Sequence, residues 1–269
     1  MVRRGTLPGL VLMIVLIGAP AAGSPRQTDF AARLENALQD AQDGTIRLSC
    51  AVSEEAAKHH RVCYGGDRRQ PVVFGDPADE RLFIAVEHRD GRVRDLETWT
   101  AVGWRYPCDE VGDDCVDLGE MDPGQASAWF LALARGEDGR RSDDVAEEAL
   151  LAAVLARGAD IARLLIDIAR DRDQDEELRE SAMMWLAIFA GDQAAGPLQE
   201  LTLAEQESAD LRESAVVALA QLDDDRALPI LMDLARGHRH PEVQHMALIM
   251  LARVDTPEVL DLLEDLLRE

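Results

Sequence analysis

The chain has 269 residues, 47% of them apolar, and its 52 acidic against 28 basic residues give a formal net charge of -24. So apolar a composition can bury a core, which excludes disorder along the whole length. So acidic a balance excludes nucleic-acid binding through phosphate neutralisation, which needs a basic surface.

Residues 1–23 read as a signal peptide. Arg3 and Arg4 precede an unbroken apolar run from Leu10 to Ile17, and Ala19-Pro20-Ala21 or Ala21-Ala22-Gly23 offers the small residues a signal peptidase needs. The run is shorter than the ~20 residues of a spanning helix. The expectation is an exported protein, periplasmic or secreted, with no stable membrane insertion after cleavage. In an oxidising compartment the four cysteines, Cys50, Cys63, Cys108 and Cys115, predict two disulfides. Three connectivities exist, and proximity in sequence favours Cys50–Cys63 with Cys108–Cys115. A zinc site has no CxxC pair to build on, and His59, His60 and His88 lack finger spacing.

Residues 24–139 begin with a helix predicted over 28–42, where Phe30, Leu34 and Leu38 recur at helical spacing. A strand follows from Thr45 to Val52. A hairpin pairs Arg81–His88 with Arg92–Thr100 around Asp90-Gly91, whose residues tolerate the positive φ of a tight reversal. A strand near Val116–Met121 leads into a helix over Pro123–Arg135. The expectation for 24–139 is a small α+β domain with an antiparallel sheet. Gly136 to Ser142 is the expected linker to a second domain, residues 140–269. Composition changes there: nine of eleven aromatics and all cysteines precede residue 142, while 142–269 holds 29 acids against 11 arginines.

An internal repeat organises the second domain. Leu178-Arg179-Glu180-Ser181-Ala182 recurs as Leu211-Arg212-Glu213-Ser214-Ala215, and spacings of 33, 33 and 32 connect whole columns. Val145, Leu178, Leu211 and Val243 form one column; Ala149, Ala182, Ala215 and Ala247 form another. A second helix per unit carries Leu165, Leu198, Leu231 and Leu263, with Ile168, Leu201, Leu234 and Leu266 beyond them. One such hairpin cannot bury its apolar stripe alone, whereas four in register share one core.

Leu211 to Ala220 followed by Asp225 to Leu231 resembles the short bacterial HEAT-like repeat, also found in phycobilin lyases. The resemblance covers about residues 143–269. It implies an all-α solenoid of four helical hairpins, and for most such solenoids a protein-binding role. Val62-Cys63-Tyr64-Gly65-Gly66 and Val116 to Glu120 resemble the leader domain of exported HEAT-repeat proteins. The fold expected is therefore multidomain, an α+β domain followed by the solenoid.

One polar column keeps the same register: Asp167, Glu200, Asp233 and Asp265. Each stands two residues after the Leu165 column, roughly 200° around the helix, and so points away from the core. If second helices line the groove of the stack, this column is an acidic ladder suited to a basic peptide or protein, and Asp160, Glu258, Asp261 and Glu264 add to it. The plainer alternative is a solvated face whose acids pair at i,i+3 with Arg170, Arg236 and Arg268. Asp171 to Glu177 imitates a calcium loop but has Glu176 and Ala182 where an EF-hand needs Gly and Glu. Calcium among Asp109, Glu110, Asp113 and Asp114 has only charge in its favour. His238, His240 and His245 read as exposed histidines. Trp185 and Phe189 read as core, and Trp99, Trp104 and Tyr106 as core or a recognition patch. No GxSxG, HExxH, Walker or GxGxxG pattern occurs, so no catalytic, cofactor or metal residue is assigned.

The function expected is an exported, non-enzymatic scaffold binding a protein along the second-helix face. The alternative implied by the resemblance is a lyase or chaperone-like maturation factor related to phycobilin lyases. A third reading is salt adaptation without a partner, since Lys58 is the only lysine.

Overall fold

A computed structural model describes residues 25–40, 43–52, 63–65, 70–72, 81–100, 115–137, 139, 141–142, 145–156 and 161–268. The expected signal peptide, Cys108, Trp104, Tyr106, the acidic loop from Asp109 to Asp114, and Asp160 lie outside these residues, as do the side chains of Cys63 and Trp99.

Helix α1 (Pro25–Asp40) buries Phe30, Leu34 and Leu38, a single face at four-residue steps. Strand β1 (Gly44–Ala51) follows it, and β2 (Cys63–Gly65) pairs with β3 (Gln70–Val72) in a separate two-stranded sheet. The main sheet is completed by β4 (Arg81–Arg89), β5 (Arg92–Thr100) and β6 (Cys115–Glu120), in the order β5-β4-β1-β6. Arg89 pairs with Arg92, so the β4–β5 loop is the two residues Asp90 and Gly91, with φ of 52° and 73°. Two positive φ values make the primed turn that matches strand twist. Strand β4 alternates between buried and less buried positions, but central β1 buries Ile46 to Cys50 without a break.

The sheet is mixed, which corrects the antiparallel expectation. Strand β6 runs parallel to β1, pairing Thr45 with Cys115 and Ile46 with Val116. Only β4 and β5 are joined by a tight turn. Strand β6 comes after a long connection, and such a crossing is what parallel pairing requires.

The expectation of two disulfides needs a second correction. Cys50 is a free thiol on β1, wholly buried and paired in register with Leu82. Burial first, and the charge of Glu120 second, push that thiol up to about 12. Cys50–Cys63 therefore does not form, because the Cys50 side chain is spent on the apolar interior. Cys115 is disulfide-bonded.

Helix α2 (Pro123–Arg135) is started by Asp122, whose carboxylate accepts from the Gln125 N–H at 3.1 Å. Four hairpins then stack: α3 (Ala146–Leu155) with α4 (Ile161–Arg170), α5 (Glu176–Ala190) with α6 (Asp192–Thr202), α7 (Ala209–Leu219) with α8 (Asp224–Arg236), and α9 (Pro241–Leu251) with α10 (Pro257–Leu266). First helices pack on first helices in succession, and each second helix packs on the next first helix. The Val145 and Ala149 columns are buried throughout, as are Ala153, Leu186, Leu219 and Leu251 at the same repeat spacing. Leu165, Leu198 and Leu231 are buried in one shared interior, and Leu263 packs against it half-buried.

Helix α2 joins this stack, packing on α3 as α4 packs on α5. Its buried Ala126, Phe130, Leu133 and Ala134 match Ile161, Leu165, Ile168 and Ala169 at a constant offset of 35, so it serves as a half-repeat under the first hairpin. The Ser127 hydroxyl donates to the Ala153 carbonyl at 3.0 Å across that contact. The sheet is tied on as well. Val52 bridges to Ala156, Val93 bridges to Arg141, and the Ser142 N–H donates to the Val93 carbonyl at 3.0 Å. One buried apolar cluster runs from Phe30 to Leu262.

Leu198→Ala, in the middle of the column, is expected to cost about 2–5 kcal/mol, and Leu263→Ala clearly less because Leu263 is already half exposed. Urea unfolding of both variants checks this; equal losses would count against the shared interior.

Candidate functional site

The second helices carry their acids outward, as the periodicity requires. Asp167, Glu200, Asp233, Asp265, Glu258 and Asp261 are all exposed. Arginines accompany them. Arg236 meets Asp233 at 3.0 Å, and Arg268 meets Asp265 at 3.0 Å and Glu264 at 2.9 Å. The third expected i,i+3 pair, Asp167 with Arg170, does not form: Arg170 crosses to Glu200 of the next hairpin. Arg226 likewise crosses back to Asp192, at 3.5 Å. Asp167, Glu258 and Asp261 form no ion pair among the described residues, so the face is acidic and only partly paired, and each pair is open to water and worth at most about 1 kcal/mol.

A second set of charges, which sequence reasoning left unassigned, is buried. Arg179 stands in the first turns of α5 and is covered. Its Nε–H donates to the Ala169 carbonyl at 3.1 Å, and its Nη2 donates to Glu207 at 2.7 Å. Arg212 does the same in α7. Its Nη1 donates to the carbonyls of Ala204 at 3.2 Å and Glu207 at 2.6 Å, and its Nε to the Glu242 carboxylate at 2.8 Å. Arg141, just before α3, pairs with Asp175 at 3.0 Å. Its guanidinium lies 3.2 Å from where a Cβ on Gly136 would stand, and Gly136 is the left-handed cap of α2, with φ of 68°. In the fourth repeat Gln244 takes the position, donating to the Ala235 carbonyl at 2.9 Å.

Each of these side chains sits at the C-terminal end of the preceding second helix, where carbonyls lack helical partners and the dipole is negative. Each arginine also binds an acid from the next inter-repeat turn or helix start. One guanidinium therefore fastens three successive elements. Burial pushes the Glu207 carboxyl up, but hydrogen bonds from Arg179 and Arg172 outweigh it and hold the group below the usual carboxylate range. Glu242 is also held low, first by its own backbone N–H and then by Arg212. The signal was present in sequence: an identical arginine beside a buried leucine, at the same place in two repeats, needs an acid in reach.

The remaining candidates fall into structural roles. In the calcium-like segment, Asp171 accepts from the Asp173 N–H at 3.1 Å, while Arg172 binds Glu207 and Asp175 binds Arg141. His238 and His240 are half-buried, unlike the exposed histidines expected, and only His245 is exposed. The His240 N–H donates to His238 Nδ1 at 3.2 Å, and burial lowers the His238 pKa. Phe189 is core, with Trp185 half-buried at a ring distance of 5.8 Å. Among the described residues no three His, Cys, Asp or Glu side chains are grouped to hold a metal ion, and no helix is long and apolar enough to cross a membrane.

Residues 198–269 match the family model for HEAT repeats. No curated protein matches the chain.

Arg179→Ala is expected to cost about 3 kcal/mol, since it strips a buried acid and a helix end of a partner, whereas Arg236→Ala should cost under about 1 kcal/mol. Because the folded Glu207 carboxyl lies below its unfolded value of roughly 4.3, its contribution is complete above that pH and is lost as pH falls below it. Glu207→Gln should be less stable than wild type near neutrality and converge with it in acid. Urea midpoints at several pH values read both effects; a constant gap down to pH ~3 would contradict the linkage.

Proposed function

We propose that the protein is an exported, non-enzymatic scaffold whose second-helix face binds a peptide or protein, with basic segments preferred. The observation that carries this reading is the ladder of exposed acids, Asp167, Glu200, Asp233 and Asp265, with Glu258 and Asp261 beside its last step. HEAT repeats commonly mediate protein–protein contacts, and stacked repeats offer extended surfaces for them. The arginines on this face do not oppose a basic partner strongly. Exposed ion pairs are weak, so exchanging Arg170, Arg236 or Arg268 for a partner's cation costs little. The clamped repeats beneath hold the acids in register, which limits the ordering a partner must impose.

Changing Asp167, Glu200 and Asp233 together to Lys is expected to abolish recovery of the partner in a pull-down from envelope extract. Unchanged recovery would sink the second-helix reading. Export is read separately: the protein isolated from the envelope or medium should begin near Ser24, and an intact Met1 terminus on soluble cytoplasmic protein would refute it.

A further inference from the structure

The recurrent motif at 178–182 and 211–215 has three kinds of position with a structural reason. Its leucines and alanines are core, and Arg179 and Arg212 are clamps. Glu180 and Glu213 remain, with Ser181 and Ser214 beside them. The two glutamates lie on the first-helix side of the solenoid, the side away from the acidic ladder, together with Glu147, Glu176, Glu177 and Asp210. Among the described residues no arginine, lysine or histidine forms an ion pair with any of these six. The second-helix face differs in part, because Asp192, Glu200, Asp233, Glu264 and Asp265 are met by Arg226, Arg170, Arg236 and Arg268, although Asp167, Glu258 and Asp261 form no ion pair among the described residues.

Glu180 is held at some cost. Burial pushes its carboxyl up, a hydrogen bond with Ser214 pulls it down, and the charges of Glu176, Glu177 and Asp210 push it up again, with the net direction upward. A carboxylate whose folded pKa is raised detracts from stability at neutral pH. One helical turn further along sits an apolar column at the same repeat spacing: Met184, Val217 and Ile249. Met184 and Val217 are half-buried, and Ile249 is 42% exposed. Its counterpart in the first repeat, Leu151, is buried. Apolar side chains therefore run across repeats two to four, bordered by carboxylates without cations in repeats two and three, while His245 stands at the matching position of repeat four.

We infer that this first-helix face is a second docking surface whose occupant is a cationic amphipathic helix lying across the repeats. Its apolar side chains would rest on Met184, Val217 and Ile249, and its lysines or arginines would meet Glu180, Glu213 and Asp210. The spacing fits. Neighbouring packed helices are about 8–10 Å apart, and residues seven apart on the partner helix are separated by about 10.5 Å. Charge complementarity selects this occupant, because a neutral or acidic helix would leave desolvated carboxylates without a partner. The surface is separate from the second-helix face, and the two readings stand independently.

The test uses the full chain and a fluorescently labelled synthetic amphipathic helix built of leucine and lysine, followed by anisotropy. Glu180→Gln with Glu213→Gln, and separately Met184→Ser with Ile249→Ser, should each weaken binding about tenfold or more, or at least 1.4 kcal/mol. Asp233→Asn with Asp265→Asn, the same charge change on the other face, should leave crosslinking of the peptide to α5, α7 and α9 unchanged. Glutamine keeps an acceptor for Ser214 and removes repulsion, so the first pair should melt no lower than wild type. A photoreactive group on the peptide should label α5, α7 and α9 in the unaltered protein, and the first pair should remove that labelling. No binding, insensitivity to the Glu180 and Glu213 pair, insensitivity to the serine pair, or labelling confined to the second helices would each overturn the inference.

Discussion

A guanidinium at the end of a helix is the interaction on which this solenoid depends. Apolar columns give each boundary its affinity, but apolar contact is nondirectional and a stack held by it alone could slide. Arg179 and Arg212 remove that freedom. Each binds a carbonyl at the end of the preceding second helix and an acid beyond its own hairpin, so only one register satisfies all the donors. A lysine could not substitute, since one ammonium lacks the planar fork that reaches carbonyl and carboxylate together. The acids respond in kind, with Glu207 and Glu242 both held in the charged form.

With register fixed from inside, the two outer faces are free to differ. The second helices show paired charge, open to water and easily exchanged. The first helices of repeats two and three show carboxylates without cations beside a partly bared apolar column. The same net acidity is thus distributed as partly paired charge on one side and as carboxylates without cations on the other. Composition alone treats those two surfaces as one.

Much of the solenoid was legible in sequence because its columns obey a period that side-chain geometry must follow. Leu165, Leu198 and Leu231 are interior where the spacing put them, and Asp167 and Asp233 are exposed two residues later. Helix α2 escaped the repeat reading because its match runs at 35 residues rather than 33, with Phe130 where leucine stands elsewhere. Strand β6 was legible as a strand, but its parallel partner was not, since no turn signal links β6 to β1. Cys50 misled because an even cysteine count says nothing about which side chain faces the core. The arginine clamp was visible as identity and invisible as contact, because its acids lie in turns whose spacing departs from the column period: Glu207 and Glu242 are 35 apart, Arg179 and Arg212 only 33.

Gln244 has a bearing on how such a chain can evolve. Each arginine-bearing unit is chemically incomplete, because its buried cation is satisfied only by an acid that the following unit supplies. Gln244 carries no charge and is content with a carbonyl behind it. Duplication or deletion of a hairpin is therefore not neutral at every seam: excising the fourth would strand Arg212 without Glu242, whereas fusion after the fourth would leave no orphaned cation at Gln244. Copy number is constrained here by charge neutrality as much as by the supply of apolar surface.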